Sequence, residues 1–170
     1  EKSFVEIKRK KAWQQPGLFC KEGTNVELVI RDAVVEDAPA IAQLNRDGMG
    51  YDYPVERTRE KLRACLGTPS HKILVAESEG VVVGYVHLED YDTLYADSLK
   101  NILGIAVAES CRRQGVGKAL LQAGEEWAAS TGAAGVRLVS GESRKGAHAF
   151  YQTLGYTGNK LQRNFKKRLP

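Results

Sequence analysis

The chain has 170 residues, 42% of them hydrophobic and 27% charged, as expected for one ordinary globular domain and not for a disordered, collagenous or membrane protein. No run approaches the roughly 18 apolar residues of a membrane span, and no signal-peptide pattern opens the sequence, so we expect a cytoplasmic protein without a membrane partner. The net charge of +4 is uneven, because residues 1–25 and 160–170 together carry +8 and the rest about −4. Basic ends of this kind are usually solvated, which argues against nucleic acid as a partner.

Residues 1–25 mix Lys-rich and turn-forming segments without periodicity, which predicts a basic extension that is mobile, followed by a folded domain over residues 26–170. The run VELVIRDA then predicts a buried strand. Helical spacing follows twice, first through Ala38, Ile41, Ala42 and Leu44, and then through Val55, Leu62 and Leu66. The two predicted helices are joined by a connection rich in Gly and Tyr over Gly48–Pro54.

The second half of the chain predicts a hairpin and then alternating strands and helices. Two apolar runs flank a tight turn at Ser78–Gly80, which is typical of a β-hairpin. The run NILGIAVAES predicts another strand, and a stripe of apolar residues from Val116 onwards predicts a helix that closes at Gly132. A strand in GVRLVSG, a helix in RKGAHAFYQTLGY and a last strand in the basic tail through Phe165 complete an α/β domain with a mixed central sheet flanked by helices.

The cysteines do not predict a disulfide or a metal site. Cys20, Cys65 and Cys111 are an odd number at wide spacings, with no CxxC pair and no nearby histidine cluster of the kind that binds zinc. We therefore expect reduced thiols and no metal, and Cys111, although it lies beside Arg112, is interpreted as loop packing.

A glycine-containing turn between the predicted strand and helix, RRQGVGKA, is the most informative segment. Glycine lets the backbone approach a ligand closely, and the N–H groups of a helix N-terminus attract anions, so the segment predicts phosphate binding. A Walker A loop needs Gly and Ser or Thr where Arg112 and Ala119 stand, and a dinucleotide fingerprint needs Gly where Leu120 stands. Both of those motifs are therefore absent.

The turn does resemble the coenzyme signature of GNAT acetyltransferases, Arg/Gln-x-x-Gly-x-Gly/Ala, at Arg112, Gly115 and Gly117. A second segment, AHAFYQTLGY, resembles that family's closing helix, and the resemblance covers residues 26 to about 168. It implies the GNAT fold, acetyl-CoA as co-substrate, and transfer of the acetyl group to a primary amine of a small molecule in a ternary complex. By the same resemblance, the residues expected to bind the coenzyme are Ile105, Ala106, Val107, Arg112, Arg113, Gln114, Gly115, Val116, Gly117 and Lys118.

The resemblance implies a catalytic role for one tyrosine but leaves the proton acceptor open. Tyr151 matches the tyrosine that this family commonly places beside the coenzyme sulfur, where a phenol can assist departure of the thiolate. It also belongs to an apolar stripe of its helix, so a structural role is the alternative. No carboxylate occupies the segment where many family members carry a Glu base, and Glu89, Asp90 or a water relay are the options. His87 and His148 are interpreted as packed histidines.

The resemblance also places the acceptor pocket at the connection Gly48–Pro54, with Tyr51 and Asp52 as the expected contacts because a carboxylate between aromatic rings suits a cation. A surface turn with ordinary tyrosine packing is the alternative. A protein or peptide acetyltransferase and a non-catalytic acyl-CoA-binding regulator are the alternative functions, and a homodimer is left open.

Overall fold

The computed structural model describes residues 13–14, 19–21, 24–26, 28–158 and 160–169. Most of the predicted basic extension lies outside the described residues, so its separation from the domain and its mobility stay predictions. The chain divides into two compact units, of which the first ends at Leu138 and the second begins at Val139.

The first unit is built on a mixed sheet of six strands in the order β1-β4-β5-β6-β7-β8. Its strands are β1 (Trp13–Gln14), β4 (Leu28–Asp32), β5 (His71–Ser78), β6 (Val81–Thr93), β7 (Ala96–Val107) and β8 (Gly135–Leu138). All neighbouring pairs are antiparallel except β7 and β8, which are parallel. A separate two-stranded sheet joins β2 (Phe19–Lys21) to β3 (Thr24–Val26). The predicted mixed sheet and the hairpin of β5 and β6 are confirmed.

Helices cover both faces of this sheet. The helices α1 (Ala38–Met49) and α2 (Val55–Leu66) pack on one face, in a core that includes Ile41, Val75 and Tyr85. The helix α3 (Val116–Ser130) packs on the other face, where a side chain at Gly84 would approach Leu120 to within 3.1 Å. Because successive side chains of a strand point to opposite faces, β6 directs its odd-numbered residues from Tyr85 onwards towards α1 and its even-numbered ones towards α3.

Two glycines allow α3 to lie close to the sheet. A Cβ atom on Gly84 of β6 would lie 3.1 Å from the carbonyl oxygen of Ala106 and 3.2 Å from Val116 Cγ1. A Cβ atom on Gly124 of α3 would lie 3.1 Å from a methyl carbon of Leu88. The missing side chains therefore position the N-terminus of α3 directly above the end of β7.

The strand β7 contains a bulge. Ile102 of β7 pairs with Leu88 of β6, and Gly104 of β7 pairs with the neighbouring residue of β6, His87. Leu103 is thus the extra residue of a two-against-one arrangement, and its side chain is 49% exposed.

The start of α1 is fixed by an ionic cluster. Arg31 of β4 donates two hydrogen bonds to the Asp37 carboxylate, at 2.8 and 2.9 Å, and one to Glu77 at 2.7 Å. Asp37 also accepts the backbone N–H of Val34 at 2.8 Å. Burial alone would raise the pKa of Asp37, but the bonds from Arg31 and Val34 outweigh it and hold that pKa below its usual value of 3.8.

The second unit contains the predicted helix, α4 (Lys145–Thr153). The prediction of a last strand through Phe165 is wrong, because residues 160–169 contain no strand. The tail's apolar residues Leu161, Phe165 and Leu169 recur every four residues and are at least 80% exposed, whereas a strand needs a spacing of two and a partner. In the described part of the chain, no helix has both the length and the hydropathy needed to cross a membrane.

Candidate active site

The C-terminal half of β7 has an edge that no described strand covers. Residues 99–102 pair with β8, which ends at Leu138 opposite Ile102, whereas pairing with β6 continues to Val107. The N–H of Ala108 bonds to β6 at 2.8 Å, so the alternation of a strand directs the backbone polar groups of Ile105 and Val107 to the uncovered edge. Of the three residues predicted to contact the coenzyme here, two therefore present main-chain donors and acceptors.

A tight turn connects this edge to α3. Arg113 and Gly115 have positive φ angles of 59° and 86°, and α3 begins at the next residue, Val116, without a side-chain cap. The first N–H groups of a helix have no partner within it, and alternating turn conformations gather further N–H groups into an anion-binding concavity. Within the described residues, the N–H groups of Arg113, Gln114 and Gly115 have no backbone acceptor.

The polar side chains of the turn differ in what they contact. Gln114 donates to the carbonyl of Ser110 at 2.8 Å, which fixes the turn to the short 3-10 helix Glu109–Cys111 before it. Arg112 reaches back to the Val107 carbonyl at 3.4 Å and lies 4.0 Å from Glu109. Arg113 and Lys118 are exposed. Among the predicted coenzyme-binding residues, Gln114 thus has a structural bond, three cations are exposed, and Ala106 and Val116 are buried.

A cavity of about 220 Å³ lies on the opposite face of the sheet, next to the bulge in β7. Its lining comes from α1, the α1–α2 connection, β6 and β7, and comprises Asn45, Met49, Tyr51, Tyr85, His87, Leu103 and Gly104. A Cβ atom on Gly104 would lie 3.2 Å from the Tyr85 hydroxyl, so the absence of a side chain there leaves room for that phenol. No carboxylate belongs to the lining.

Two titratable groups of this cavity, Tyr85 and His87, are neutral at pH 7. Burial raises the pKa of Tyr85 to about 12, although the hydrogen bond between its hydroxyl and the Asn45 amide oxygen acts in the opposite direction. Burial, together with the neighbouring His71, lowers the pKa of His87 to about 4. The cavity therefore offers hydrogen-bonding groups without a net charge.

The other predicted acceptor-side residues lie outside the cavity lining. The Asp52 carboxylate accepts a hydrogen bond from Arg46 at 3.0 Å and is 82% exposed. Glu89 accepts one from Asn101 at 3.2 Å. Asp90 is paired with Lys100, whose ammonium group lies 4.4 Å from the centre of the Trp127 ring on the α3 face. Tyr51 alone of the two predicted substrate contacts lines the cavity.

Residues 38–156 match the model of the acetyltransferase (GNAT) family. The chain belongs to the GNAT acetyltransferase family. Members of this family are acyltransferases of the class EC 2.3.1. The resemblance seen in the glycine turn and in the closing helix is thereby confirmed, and so is the predicted GNAT fold.

Two curated relatives match part of this GNAT chain. An N-alpha-acetyltransferase of Sulfurisphaera tokodaii is 33% identical over 118 residues, which are 62% of this chain and 65% of that protein. A mycothiol acetyltransferase of Salinispora arenicola is 32% identical over 89 residues, 52% of this chain and 27% of that protein. The matched part thus spans less than two thirds of either relative.

Solved structures agree on the GNAT fold. The aminoglycoside N-acetyltransferase AAC(6')-Iy in complex with CoA superposes with a TM-score of 0.77 at 18% identity, covering 86% of this chain and 99% of that one. AAC(6')-Ih from Acinetobacter baumannii gives 0.73 at 17% identity, covering 84% and 99%. At these identities the likeness shows the fold alone.

The second unit of this GNAT chain holds the predicted catalytic tyrosine. The Tyr151 ring lies between Phe150, at 5.4 Å, and Tyr156, at 5.8 Å between ring centres. Burial raises the pKa of Tyr151, and the charge of Arg144 offsets part of that rise. The phenol is therefore protonated at neutral pH, as a hydrogen-bond donor must be.

Sequence reasoning missed several residues of the site. Asn45 and Tyr85 line the cavity. His87 also lines the cavity, although we expected an ordinary packed histidine. The only sequence signal for Tyr85 and His87 is their odd numbering in a predicted hairpin strand, which places both on one face.

Proposed function

We propose that this chain transfers the acetyl group of acetyl-CoA to a primary amine of a small molecule, by direct attack within a ternary complex. The observation that carries the proposal is the edge of β7 over residues 103–107, which no described strand covers and which ends beside a turn where the N–H groups of Arg113, Gln114 and Gly115 have no backbone acceptor among the described residues. An extended chain of amides that ends in a pyrophosphate fits such a surface, and the pantetheine arm of coenzyme A has that form.

In this proposal the coenzyme contacts two kinds of backbone groups. The amides of the pantetheine arm pair with Ile105 and Val107 as an added strand would. The pyrophosphate lies on the N–H groups from Arg113 to Lys118, where the helix dipole and the three exposed cations of the turn favour negative charge. This arrangement directs the thioester towards the middle of β7, where the bulge opens the cavity on the other face.

The cavity supports a small acceptor. A volume of about 220 Å³ accommodates an amine with a few neighbouring atoms, so most of a larger substrate must lie outside its mouth. Because the lining has no carboxylate, a charged ammonium group would lose its hydration without compensation, and the amine enters neutral. Asp52, at the edge of the same connection as Tyr51, is available to a second cationic group of the substrate if it leaves Arg46.

The reaction needs one proton accepted and one donated. The amine nitrogen attacks the thioester carbon, and the C–S bond breaks as the carbonyl re-forms, so that the nitrogen loses a proton and the sulfur leaves as a thiolate. We assign the donor role at sulfur to Tyr151, which its raised pKa keeps protonated. Glu89 and Asp90 are already bonded to Asn101 and Lys100, which favours a water relay as the acceptor.

A peptide α-amine is the second candidate acceptor. It is favoured by the relative named N-alpha-acetyltransferase, at 33% identity, and by a cavity that takes the amine end of a longer molecule. A peptide would then extend past Tyr51, whose side chain is 66% exposed.

The test combines binding and turnover. Acetyl-CoA is expected to raise the melting temperature, because a ligand that binds only the folded state adds RT ln(1 + [L]/Kd) to its stability. ATP, which lacks a pantetheine arm, should raise it much less. Thiol release from acetyl-CoA is then measured with polyamines, aminoglycosides, amino acids and short peptides. A melting temperature unchanged at millimolar acetyl-CoA contradicts the proposal.

The same panel separates the alternatives. Turnover with free amines and none with peptides supports the small-molecule assignment, and the reverse result supports the peptide α-amine. A large thermal shift without thiol release for any acceptor would favour a regulator that binds acyl-CoA without catalysis.

A further inference from the structure

We infer that Cys65, His71 and His87 form a binding site for one zinc ion. The Sγ atom of Cys65 and one ring nitrogen of each histidine all lie within 4.8 Å of one another. The three side chains are half-buried and come from α2, β5 and β6, so distant parts of the chain converge on one point. The site differs from the coenzyme surface but shares His87 with the acceptor cavity.

The ligands are held by ordered backbone. Cys65 lies in the last turn of α2, and His71 is the first residue of β5. Between them, the N–H of Thr68 bonds to the Cys65 carbonyl at 3.0 Å, and the N–H of His71 bonds to the Thr68 carbonyl at 3.0 Å. These bonds fix the thiol and the first imidazole relative to each other, which lowers the entropic cost of binding an ion.

The two imidazoles already point at each other. The Nδ1 atom of His71 and the Nε2 atom of His87 are 3.0 Å apart, and the ring centres are separated by 5.1 Å. A hydrogen bond along that line places one proton between the two nitrogens, and a metal ion bound to both would take the place of that proton. With bonds of 2.0–2.3 Å, the donor atoms of a tetrahedral zinc site are separated by roughly 3.3–3.8 Å. Shifts of a few tenths of an ångström between the nitrogens, and of about an ångström at sulfur, are sufficient.

The donor chemistry selects the ion. A thiolate with two imidazoles suits Zn²⁺, whereas Mg²⁺ and Ca²⁺ prefer oxygen ligands. Three protein ligands leave the fourth position of a tetrahedral ion for water or another small ligand. Glu89 is the cross-strand partner of His71 on the same face and adds negative charge nearby.

Cobalt is the probe that identifies the sulfur ligand. Metal-free protein is titrated with Co²⁺ under reducing conditions, and we expect an absorption band from sulfur-to-cobalt charge transfer that saturates at one ion per chain. Zn²⁺ should displace the cobalt and remove the band. Cys65→Ser, a nearly isosteric change, should abolish the band, whereas Cys20→Ser and Cys111→Ser should retain it. A band that is absent from the wild type, persists in Cys65→Ser or saturates at half an ion per chain overturns the site.

The histidines are tested by zinc affinity, measured in competition with a colorimetric chelator. Loss of a residue that only hydrogen-bonds a metal ligand typically weakens metal binding by roughly 10–100-fold. His71→Ala and His87→Ala each remove a ligand itself, so each should weaken Zn²⁺ binding by more than that. His148→Ala removes the third histidine of the chain and should leave the affinity unchanged. If His71→Ala or His87→Ala keeps the wild-type affinity for Zn²⁺, the proposal of a three-ligand site is wrong.

A second readout rests on the proposed function. Because His87 also lines the acceptor cavity, a zinc ion bound there should coordinate the neutral amine or block its approach, and so lower turnover in the wild type and in Cys111→Ser. Cys65→Ser should keep its basal rate and resist Zn²⁺. Failure of the chain to acetylate any amine would remove the proposed function but leave the cobalt result decisive for the metal site. Turnover that is equally sensitive to Zn²⁺ in Cys65→Ser would show that the inhibition does not come from this site.

Discussion

The two faces of the central sheet are built in different ways. On the α3 face, one uninterrupted stretch from β7 through the turn to α3 supplies every group assigned to binding of the coenzyme, and the helix lies close because Gly84 and Gly124 have no side chains. On the α1–α2 face, the cavity takes its lining from two strands, a helix and a connection. The proposed coenzyme site on the first face therefore depends on backbone geometry. The cavity on the second face depends on side chains that the tertiary structure brings together.

This difference has a functional consequence. A surface made of backbone N–H and carbonyl groups recognises the same coenzyme whatever side chains surround it. A cavity made of side chains from four elements can change its preference with single substitutions. We therefore expect substitutions on the two faces to separate binding of the coenzyme from binding of the amine.

The largest effect should come from a negative charge in the glycine turn. Gly117 is the second residue of α3, so Gly117→Glu places a carboxylate beside the proposed pyrophosphate. Repulsion between unit charges at 4 Å is about 4 kcal/mol near a protein surface, or roughly 1000-fold in affinity. The melting temperature without ligand should hardly change, because an acidic side chain is favourable in the first turn of a helix.

Calorimetric titration with acetyl-CoA checks this expectation, and Gly117→Gln is the matched control that adds bulk without charge. Equal losses for the two variants would mean that space and not charge matters at the turn. Wild-type affinity in Gly117→Glu would assign the turn to folding alone.

The next effect concerns Tyr151, which belongs to the second unit. Tyr151→Phe keeps the ring but removes the proposed donor, so kcat should fall by roughly 10-fold to 1000-fold with little change in coenzyme affinity or stability. Tyr156→Phe, which removes the hydroxyl of a neighbouring ring, should keep kcat near the wild-type value.

Comparison of acyl donors decides which substrate the phenol serves. If the loss is smallest with thioesters whose thiol needs little help to leave, Tyr151 assists departure of the thiolate. A loss of the same size for every donor and acceptor would point to positioning of the coenzyme, and a large loss of stability would show a structural hydroxyl.

On the acceptor face we predict acid sensitivity from the cluster around Asp37. The folded-state pKa of Asp37 is depressed, so its stabilising effect is complete above the unfolded-state pKa and is lost as the pH falls through the folded-state value. Removing one partner of a buried ion pair lowers the free energy of unfolding by roughly 3–5 kcal/mol. The loss in Asp37→Ala should lie near the lower end of this range, because Arg31 would still be paired with Glu77. The control is the pair of Asp32 and Lys72, in which the carboxylate is 46% exposed and not buried, so Asp32→Ala should cost under about 1 kcal/mol.

Urea unfolding between pH 2 and pH 7 measures both variants. The stability of the wild type should converge with that of Asp37→Ala at the acid end. Parallel curves over the whole range would show that Asp37 does not titrate with folding.

The smallest effects should come from adding one methyl group to each face. Gly84→Ala forces a carbon to within 3.1 Å of a backbone oxygen under α3, which should cost about 1–3 kcal/mol of stability. Gly104→Ala meets the Tyr85 hydroxyl at 3.2 Å, beside the cavity, and should raise the KM for the amine several-fold. Unfolding and steady-state kinetics on both variants test the separation, which fails if the two changes have interchangeable effects.

The sequence allowed prediction of what is encoded locally. The hairpin of β5 and β6, the helix from Val116 and the glycine turn each occupy one stretch, and their periodicity or turn residues identify them. The prediction of a strand in the tail is wrong because a strand needs a pairing partner, and the tail's own apolar residues do not encode one. Asp52 and Asp90 were candidates by residue type, but their ion pairs with Arg46 and Lys100 depend on tertiary structure.

The convergence of Cys65, His71 and His87 shows the same limit more clearly. Their spacings of six and sixteen residues match no metal-binding motif, so the cysteine pattern predicted no site. The three meet only because α2 ends above the start of β5 and because β5 pairs with β6 in one particular register.

The bulge at Leu103 has a consequence for changes in chain length. Deletion of Leu103 would leave Ile102 and Gly104 opposite the same two residues of β6. The side chains on both sides of the bulge would still point to the same faces of the sheet, and only the bulge would be lost. Loss of Ala106 would instead place Val107 opposite Tyr85 and turn the strand over just before the glycine turn. In a library of single-codon deletions selected for folded protein, we expect survivors at position 103 and none at position 106.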